Sequence, residues 1–364
     1  MKNLFLCNTP YQVIVATQIA KSEYENDVND IIVTDKIADY ERLYTNIEKS
    51  GVFNRVTLWR IKNKYTNKSG LFFVASFLLS KLNINIHKIN FGKYDNLFCG
   101  NIAKVATILY RTLKRKKEVN TYLFEDGFST YSKECCGFFE KINKKNTIRQ
   151  KLIRVYRKAS FEFFFDLKGM YLFSPNILDW KPPFPVIEIE KIDSNNNDLV
   201  ETYNRIFGVR TIIDSYSEGV IFFEESYFAD SIDIGDEDVI KQIANKVGLD
   251  EFLLKMHPRN PVNRFNKVGI KVNKDTSIPW EIIALNNDLS DKTLVTIASG
   301  SAITSLVNTN TKPQKIIMLM NCEEIDDELL TPSLEILRRI AETFNDIIWL
   351  PKSIEEVYEY FEKE

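Results

Sequence analysis

Three short runs carry side chains able to move a proton or hold an anion. The first is Glu125-Asp126-Gly127, two adjacent carboxylates and a glycine that close an apolar strand-like segment. Paired carboxylates at a strand end can supply a general base, one partly desolvated while its neighbour anchors the turn. The second is His257-Pro258-Arg259, where one of only two histidines stands at the end of the apolar run 252–256. Imidazole exchanges protons near neutral pH, and the following proline ends the strand at the ring. The third is Ser299-Gly300-Ser301-Ala302, small residues between an apolar strand and a helical pattern. Backbone N–H groups and hydroxyls at a helix start bind phosphate. A plain serine N-cap explains that run equally well. A lone histidine in a turn is commonly structural, and acidic-glycine turns are common, so none of the three settles the chemistry alone.

Several further positions are candidates. Glu281, in Pro279-Trp280-Glu281, could accept hydrogen bonds from a ribose diol or simply favour the first turn of a helix. Asn8-Thr9-Pro10-Tyr11-Gln12 and Gly100-Asn101 end strands in the first half and read as cleft loops or as caps. Glu225, Asp230 and Asp233 follow the strand at 220–223. Asp233 and Asp236 are close in sequence, but no Asp-x-Asp triplet points to a metal–diphosphate site, and Asp236 is a reasonable N-cap. No metal is expected.

Elements that could position these residues alternate along the chain. Strands are expected at 4–7, 30–33, 56–59, 96–99 and 121–124, with helices at 11–22, 39–50 and 100–114. A second alternating set places strands at 220–223, 252–256, 293–298, 315–320 and 346–350, and helices at 236–247, 278–285, from 302, and 353–364. Such alternation implies parallel sheets flanked by helices. A chain of 364 residues exceeds one hydrophobic core. The Pro-rich and Asn-rich stretch places a linker at 176–215, between a domain over 1–175 and another over 216–350, with a terminal helix over 351–364. Two such domains would face each other across a ligand cleft.

Composition excludes other classes. With 44% hydrophobic and 27% charged residues the chain is globular, and a net charge of −2 argues against nucleic acid as a partner. Five cysteines without a C-x-x-C pattern fit a reduced compartment. The N-terminus lacks a secretion signal, and the apolar stretch 71–82 is broken by Ser76, Ser80 and Lys81 and reads as a buried helix. A cytoplasmic location is expected, peripheral at the inner membrane face if the basic cluster holds it there. That cluster is Lys141, Lys144, Lys145, Arg149, Lys151, Arg154, Arg157 and Lys158. It could meet an anionic lipid or acidic glycan, although a solvated face is the commoner meaning, as it is for the basic residues at 111–117. A homodimer is a candidate assembly.

The order acidic-acidic-Gly, His-Pro, then a serine turn resembles the bacterial sialyltransferases. Leu6-Cys7-Asn8-Thr9-Pro10-Tyr11-Gln12 and His257-Pro258-Arg259 look most like glycosyltransferase family 52, which includes lipooligosaccharide and capsule sialyltransferases. The likeness covers 4 to about 306 as separated islands. It implies the GT-B architecture of two Rossmann-like domains and an inverting transfer, without metal, from CMP-sialic acid to a glycan. His257 would contact the phosphate and act as general acid, with Pro258 and Arg259 beside it. Ser299, Gly300 and Ser301 would bind the same phosphate. Glu281 would hold the ribose, and Asn8, Thr9 and Asn101 would join the donor-binding residues. Glu125 would be the base, with Asp126 competing and Glu225, Asp230 and Asp233 as rivals from the second domain. The serine motif departs from a plain Ser-Ser or Ser-Thr pair, which leaves the contacting hydroxyl open. A glucosyltransferase using a UDP-sugar and a non-catalytic glycan-binding protein are the alternative readings.

Overall fold

The structure, a computed structural model, describes residues 1–61, 91–101, 104–132, 162–209, 216–260, 262–273, 276–325, 330 and 334–363. The apolar segment 71–82, the basic stretch 141–158, Cys135 and Cys136 lie outside the described residues. The chain forms two compact units, Met1–Glu190 and Lys191–Glu364.

In the first unit seven strands form a wholly parallel sheet in the order β3-β2-β1-β4-β5-β6-β7. They are β1 (Lys2–Cys7), β2 (Val28–Thr34), β3 (Arg55–Trp59), β4 (Asn96–Cys99), β5 (Asn120–Phe124), β6 (Leu167–Leu172) and β7 (Val186–Glu188). Helices α1 (Pro10–Ser22), α2 (Tyr40–Ser50), α3 (Lys104–Lys114) and α4 (Glu162–Phe165) connect them. Leu4, Phe5, Leu6 and Cys7 are all buried, the continuous apolar run of a strand covered on both faces. Thr9 caps α1 by accepting the Gln12 N–H at 3.1 Å, and Pro10 begins the helix where its missing N–H costs nothing.

The second unit repeats the plan with six parallel strands in the order β10-β9-β8-β11-β12-β13. These are β8 (Val220–Phe223), β9 (Phe252–Lys255), β10 (Lys271–Val272), β11 (Thr293–Thr296), β12 (Lys315–Met318) and β13 (Ile348–Trp349). The helices are α5 (Asn197–Phe207), α6 (Asp236–Val247), α7 (Trp280–Leu285), α8 (Ser301–Asn308), α9 (Leu334–Thr343) and α10 (Ile354–Lys363).

The stretch expected as a linker at 176–215 carries elements of both units. β7 extends the first sheet, and α5 belongs to the second unit. β7 sits at the sheet edge, where flanking prolines are tolerated. The asparagine run is a helix start: the Asn196 side chain accepts the Leu199 N–H at 3.1 Å. Among the described residues no helix is long and apolar enough to cross a membrane. Cys7, Cys99 and Cys322 are free, buried thiols.

Candidate functional site

Each sheet has one place where strand order reverses, and there the carboxyl ends of neighbouring strands leave a crevice for ligands. In the first unit that place lies between β1 and β4. Asn8 and Thr9 leave β1, Gly100 and Asn101 leave β4, and Glu125-Asp126-Gly127 leave β5. Gln12 ties the group together. Its Oε1 accepts the Asn8 N–H at 2.6 Å, and its side chain lies so close to Gly100 that a Cβ there would stand 2.5 Å from Gln12 Cδ. Asn8 Nδ2 reaches Asn101 Oδ1 at 3.4 Å, and the Thr34 hydroxyl donates to Asn8 Oδ1 at 3.0 Å.

The two adjacent carboxylates have separate environments. Glu125 is only 1% exposed. The Tyr11 and Tyr131 hydroxyls donate to its Oε1 and Oε2, and the Phe173 N–H reaches Oε2 at 3.0 Å. Charge-assisted bonds of this kind contribute about 1.5–3 kcal/mol each, and together they make Glu125 a satisfied internal anchor. Burial and the Glu125 charge push the Tyr131 hydroxyl well above its usual pKa. Asp126 is half-buried and faces Gln12, Asn101 and Thr9. Burial raises its pKa, and the polar Gln12, Asn101 and Thr9 side chains beside it hold it partly down. Its N–H donates to Thr130 Oγ1 at 2.9 Å, and Gly127 turns the chain at φ 74°, a left-handed value suited to glycine. Thr9 and Asn101, expected with the donor-binding residues, therefore stand beside Asp126 in the first unit, and Asn8 joins them through Asn101.

In the second unit the reversal lies between β8 and β11. β9 delivers the buried Lys255 and then His257. The His257 N–H donates to Glu224 Oε2 at 3.1 Å. Glu224 Oε1 in turn accepts Arg264 Nη2 at 2.9 Å, and Arg264 Nη1 donates to Asp236 Oδ1 at 3.0 Å. The guanidinium sits 4.7 Å from the Phe228 ring. This buried network fixes the backbone that carries the imidazole. The Arg259 N–H donates to His257 Nδ1 at 3.2 Å, which leaves the proton of the neutral ring on Nε2. Burial pushes the His257 pKa down to about 4; the charges of Lys255 and Arg259 add to this, and Asp230 opposes it.

β11 leads into Ser299-Gly300-Ser301 and α8. Gly300 occupies the N-cap position, and no side chain caps the helix. The serine N-cap reading therefore fails here, and among the described residues the Gly300 and Ser301 N–H groups carry no hydrogen bond. Ser299 is mostly buried and Ser301 exposed. Glu281, on α7, is buried; burial raises its pKa while Thr304, its own N–H and the Lys255 charge lower it. Asp230 pairs with the Arg259 guanidinium, and Asp233 accepts the Gly235 N–H at 2.9 Å. Both rival bases thus have local structural work. Pro258 is exposed beside them.

A cavity of about 790 Å³ opens near this network, lined by Phe228, Ile232, Asp233, Asp236, Glu237 and Arg264. Its lining sets several carboxylates against the guanidinium of Arg264. Among the described residues no three of His, Cys, Asp and Glu converge as metal ligands.

Glu224, Lys255 and Arg264 escape the sequence reading, and Tyr11 and Gln12 fall in the expected loop 8–12 without a role assigned to either. Glu224 and Glu225 repeat the pattern of Glu125 and Asp126, an acidic pair directly after an apolar strand, and that repetition was the available signal. Arg264 gave none, because its partners lie 28 and 40 residues away.

A model of the alpha-2,8-polysialyltransferase (POLYST) family matches residues 3–319, a span that includes both crevices. No curated protein matches the chain in sequence. Among solved structures, spinosyn forosaminyltransferase SpnP is 8% identical with a TM-score of 0.52, covering 99% of this chain and 88% of that one. MnaA of S. aureus with UDP is 12% identical with a TM-score of 0.50, covering 100% and 87%. The alpha/beta-galactoside alpha-2,3-sialyltransferase of Photobacterium phosphoreum is 12% identical with a TM-score of 0.48, covering 98% and 100%. At such identities the likeness is one of fold, and that fold is GT-B.

Proposed function

Because the chain belongs to the alpha-2,8-polysialyltransferase family and is a sialyltransferase, we infer that it takes sialic acid from CMP-sialic acid and transfers it with inversion to a glycan. The finer placement in glycosyltransferase family 52 is part of the same inference. The observation that carries it is in the second unit. An imidazole with its proton on Nε2 and an uncapped helix start stand on either side of β8, roughly 10 Å apart by strand spacing. That span suits a single phosphate and its ester.

The reaction follows from these groups. The acceptor hydroxyl attacks the anomeric carbon and gives its proton to Asp126. The bond from that carbon to the phosphate oxygen breaks on the opposite face. Phosphate binding protonates His257, and the imidazolium gives its Nε2 proton to the departing phosphate and returns to the neutral ring, while the Gly300 and Ser301 N–H groups and the serine hydroxyls stabilise the phosphate charge. One phosphate is neutralised by these donors; a diphosphate usually recruits Mg²⁺. Asp126 replaces Glu125 as the preferred base because Glu125 is enclosed by Tyr11, Tyr131 and Phe173. Glu281 stays the ribose partner in this reading, a hydroxyl of the sugar competing with Thr304 for its carboxyl. The family description supports a sialoside acceptor and a 2,8 linkage.

Calorimetry with CMP and UDP tests the donor. CMP is expected to bind about tenfold or more tightly, since only a matched base satisfies the buried polar groups of a nucleotide pocket. Tighter binding of UDP would replace this reading by transfer from a UDP-sugar.

A further inference from the structure

We propose that Glu225 is a positioning residue for the donor phosphate: its carboxylate draws the Ala298 and Ser299 amides inward, so that the Gly300 and Ser301 amides face the ligand. The proposal rests on the CMP-donor reading and deepens it.

Glu224 and Glu225 follow β8 at the point where strand order reverses. Successive residues of extended chain project to opposite sides. Glu224 turns toward β9 and holds the His257 N–H, whereas Glu225 turns toward β11. Glu225 Oε1 accepts the Ala298 N–H at 2.8 Å and the Thr296 hydroxyl at 3.1 Å. Thr296 Oγ1 then accepts the Ser299 N–H at 2.9 Å. Two consecutive amides are consumed by one carboxylate, directly and through one hydroxyl. The next two, Gly300 and Ser301, start α8 without a side-chain cap. The Glu225 carbonyl also accepts Asn260 Nδ2 at 3.0 Å, which joins the loop after β9 to the same residue.

These contacts argue against Glu225 as the base. Burial pushes its carboxyl up to about 7, the Ala298 and Thr296 donors pull against that, and the charges of Asp236 and Glu224 add to it. Both of those carboxylates are already bound to Arg264. What Glu225 offers the loop is an acceptor, and glutamine supplies the same one through its amide oxygen.

Wild type, Glu225→Gln and Glu225→Ala are compared by CMP calorimetry and by steady-state transfer from CMP-sialic acid. Glu225→Ala is expected to raise the donor KM and the CMP Kd about tenfold, the effect of one mis-set charge-assisted hydrogen bond, with the acceptor KM unchanged. Glu225→Gln is expected to restore wild-type values. Unchanged CMP affinity in Glu225→Ala overturns the proposal. So does a collapse of kcat in Glu225→Gln with CMP affinity intact, which marks a proton-transfer role. If Glu225→Ala fails to fold, Thr296→Val, which removes the hydroxyl that links Glu225 to the Ser299 N–H and leaves the Ala298 contact in place, is expected to weaken CMP binding severalfold; no change there counts against the proposal. Wild-type protein that binds no CMP overturns the donor reading and this inference with it.

Discussion

Replacing His257 with alanine is expected to lower kcat by about 10²–10⁴-fold, the usual contribution of a positioned general acid, with the fold intact. The fold is spared because His257 is held through its backbone: Glu224 takes its N–H, and Asn260 donates an N–H to its carbonyl at 2.9 Å. A pH dependence accompanies the loss. In the free protein the ring titrates at about 4, below its ordinary 6.5, so it is neutral at working pH. A bound phosphate places a negative charge beside Nε2 and raises that pKa. Donor binding therefore takes up protons, and affinity for CMP-sialic acid is expected to rise as pH falls from 8 toward 5. In His257→Asn this rise should vanish. Calorimetry in buffers of different ionisation enthalpy reads the proton count directly, and equal pH profiles for the two proteins would remove His257 from the phosphate. Stability follows the opposite sign. Because the folded-state value is depressed, protonation opposes the fold, and stability declines as pH falls from 6.5 through about 4.

Asp126→Asn is expected to cost kcat on the order of 10²–10³-fold, the scale of a lost general base, while CMP binding stays unchanged. The separation follows from the units: Asp126 stands with Thr9, Gln12 and Asn101 in the first, and the residues proposed for the phosphate belong to the second. Glu125→Gln should behave otherwise. Its carboxylate satisfies two tyrosine hydroxyls and the Phe173 N–H in a buried setting, so the change is expected to lower Tm. Kinetics with Tm on the two variants distinguishes the roles. A stable, inactive Glu125→Gln beside an active Asp126→Asn would return the base to Glu125.

Much of the fold was legible because parallel strands buried on both faces read as unbroken apolar runs. β4, β8 and α6 emerge at their expected bounds. β6 and the elements inside the stretch read as a linker were not legible. β6 contains Lys168 and Gly169, β7 is three residues flanked by prolines, and the asparagines before α5 look like a linker although Asn196 is a cap. The site was legible as three motifs at strand ends. The separate duties of Glu125 and Asp126 were not, because adjacent residues project to opposite sides and only the fold decides which one Tyr11 and Tyr131 enclose. The Glu224–Arg264–Asp236 network was equally hidden, since it joins residues that share no local pattern.

The most direct measurement is incubation of the purified protein with CMP-sialic acid and a panel of sialosides and galactosides, with the product's anomeric configuration and linkage read by NMR. Inverting sialyl transfer with release of CMP, strongest on sialosides and forming a 2,8 linkage, is the expected result. Retention of configuration, or transfer only from a UDP-sugar, would contradict the assignment of His257, Asp126 and the α8 start to inverting sialyl transfer.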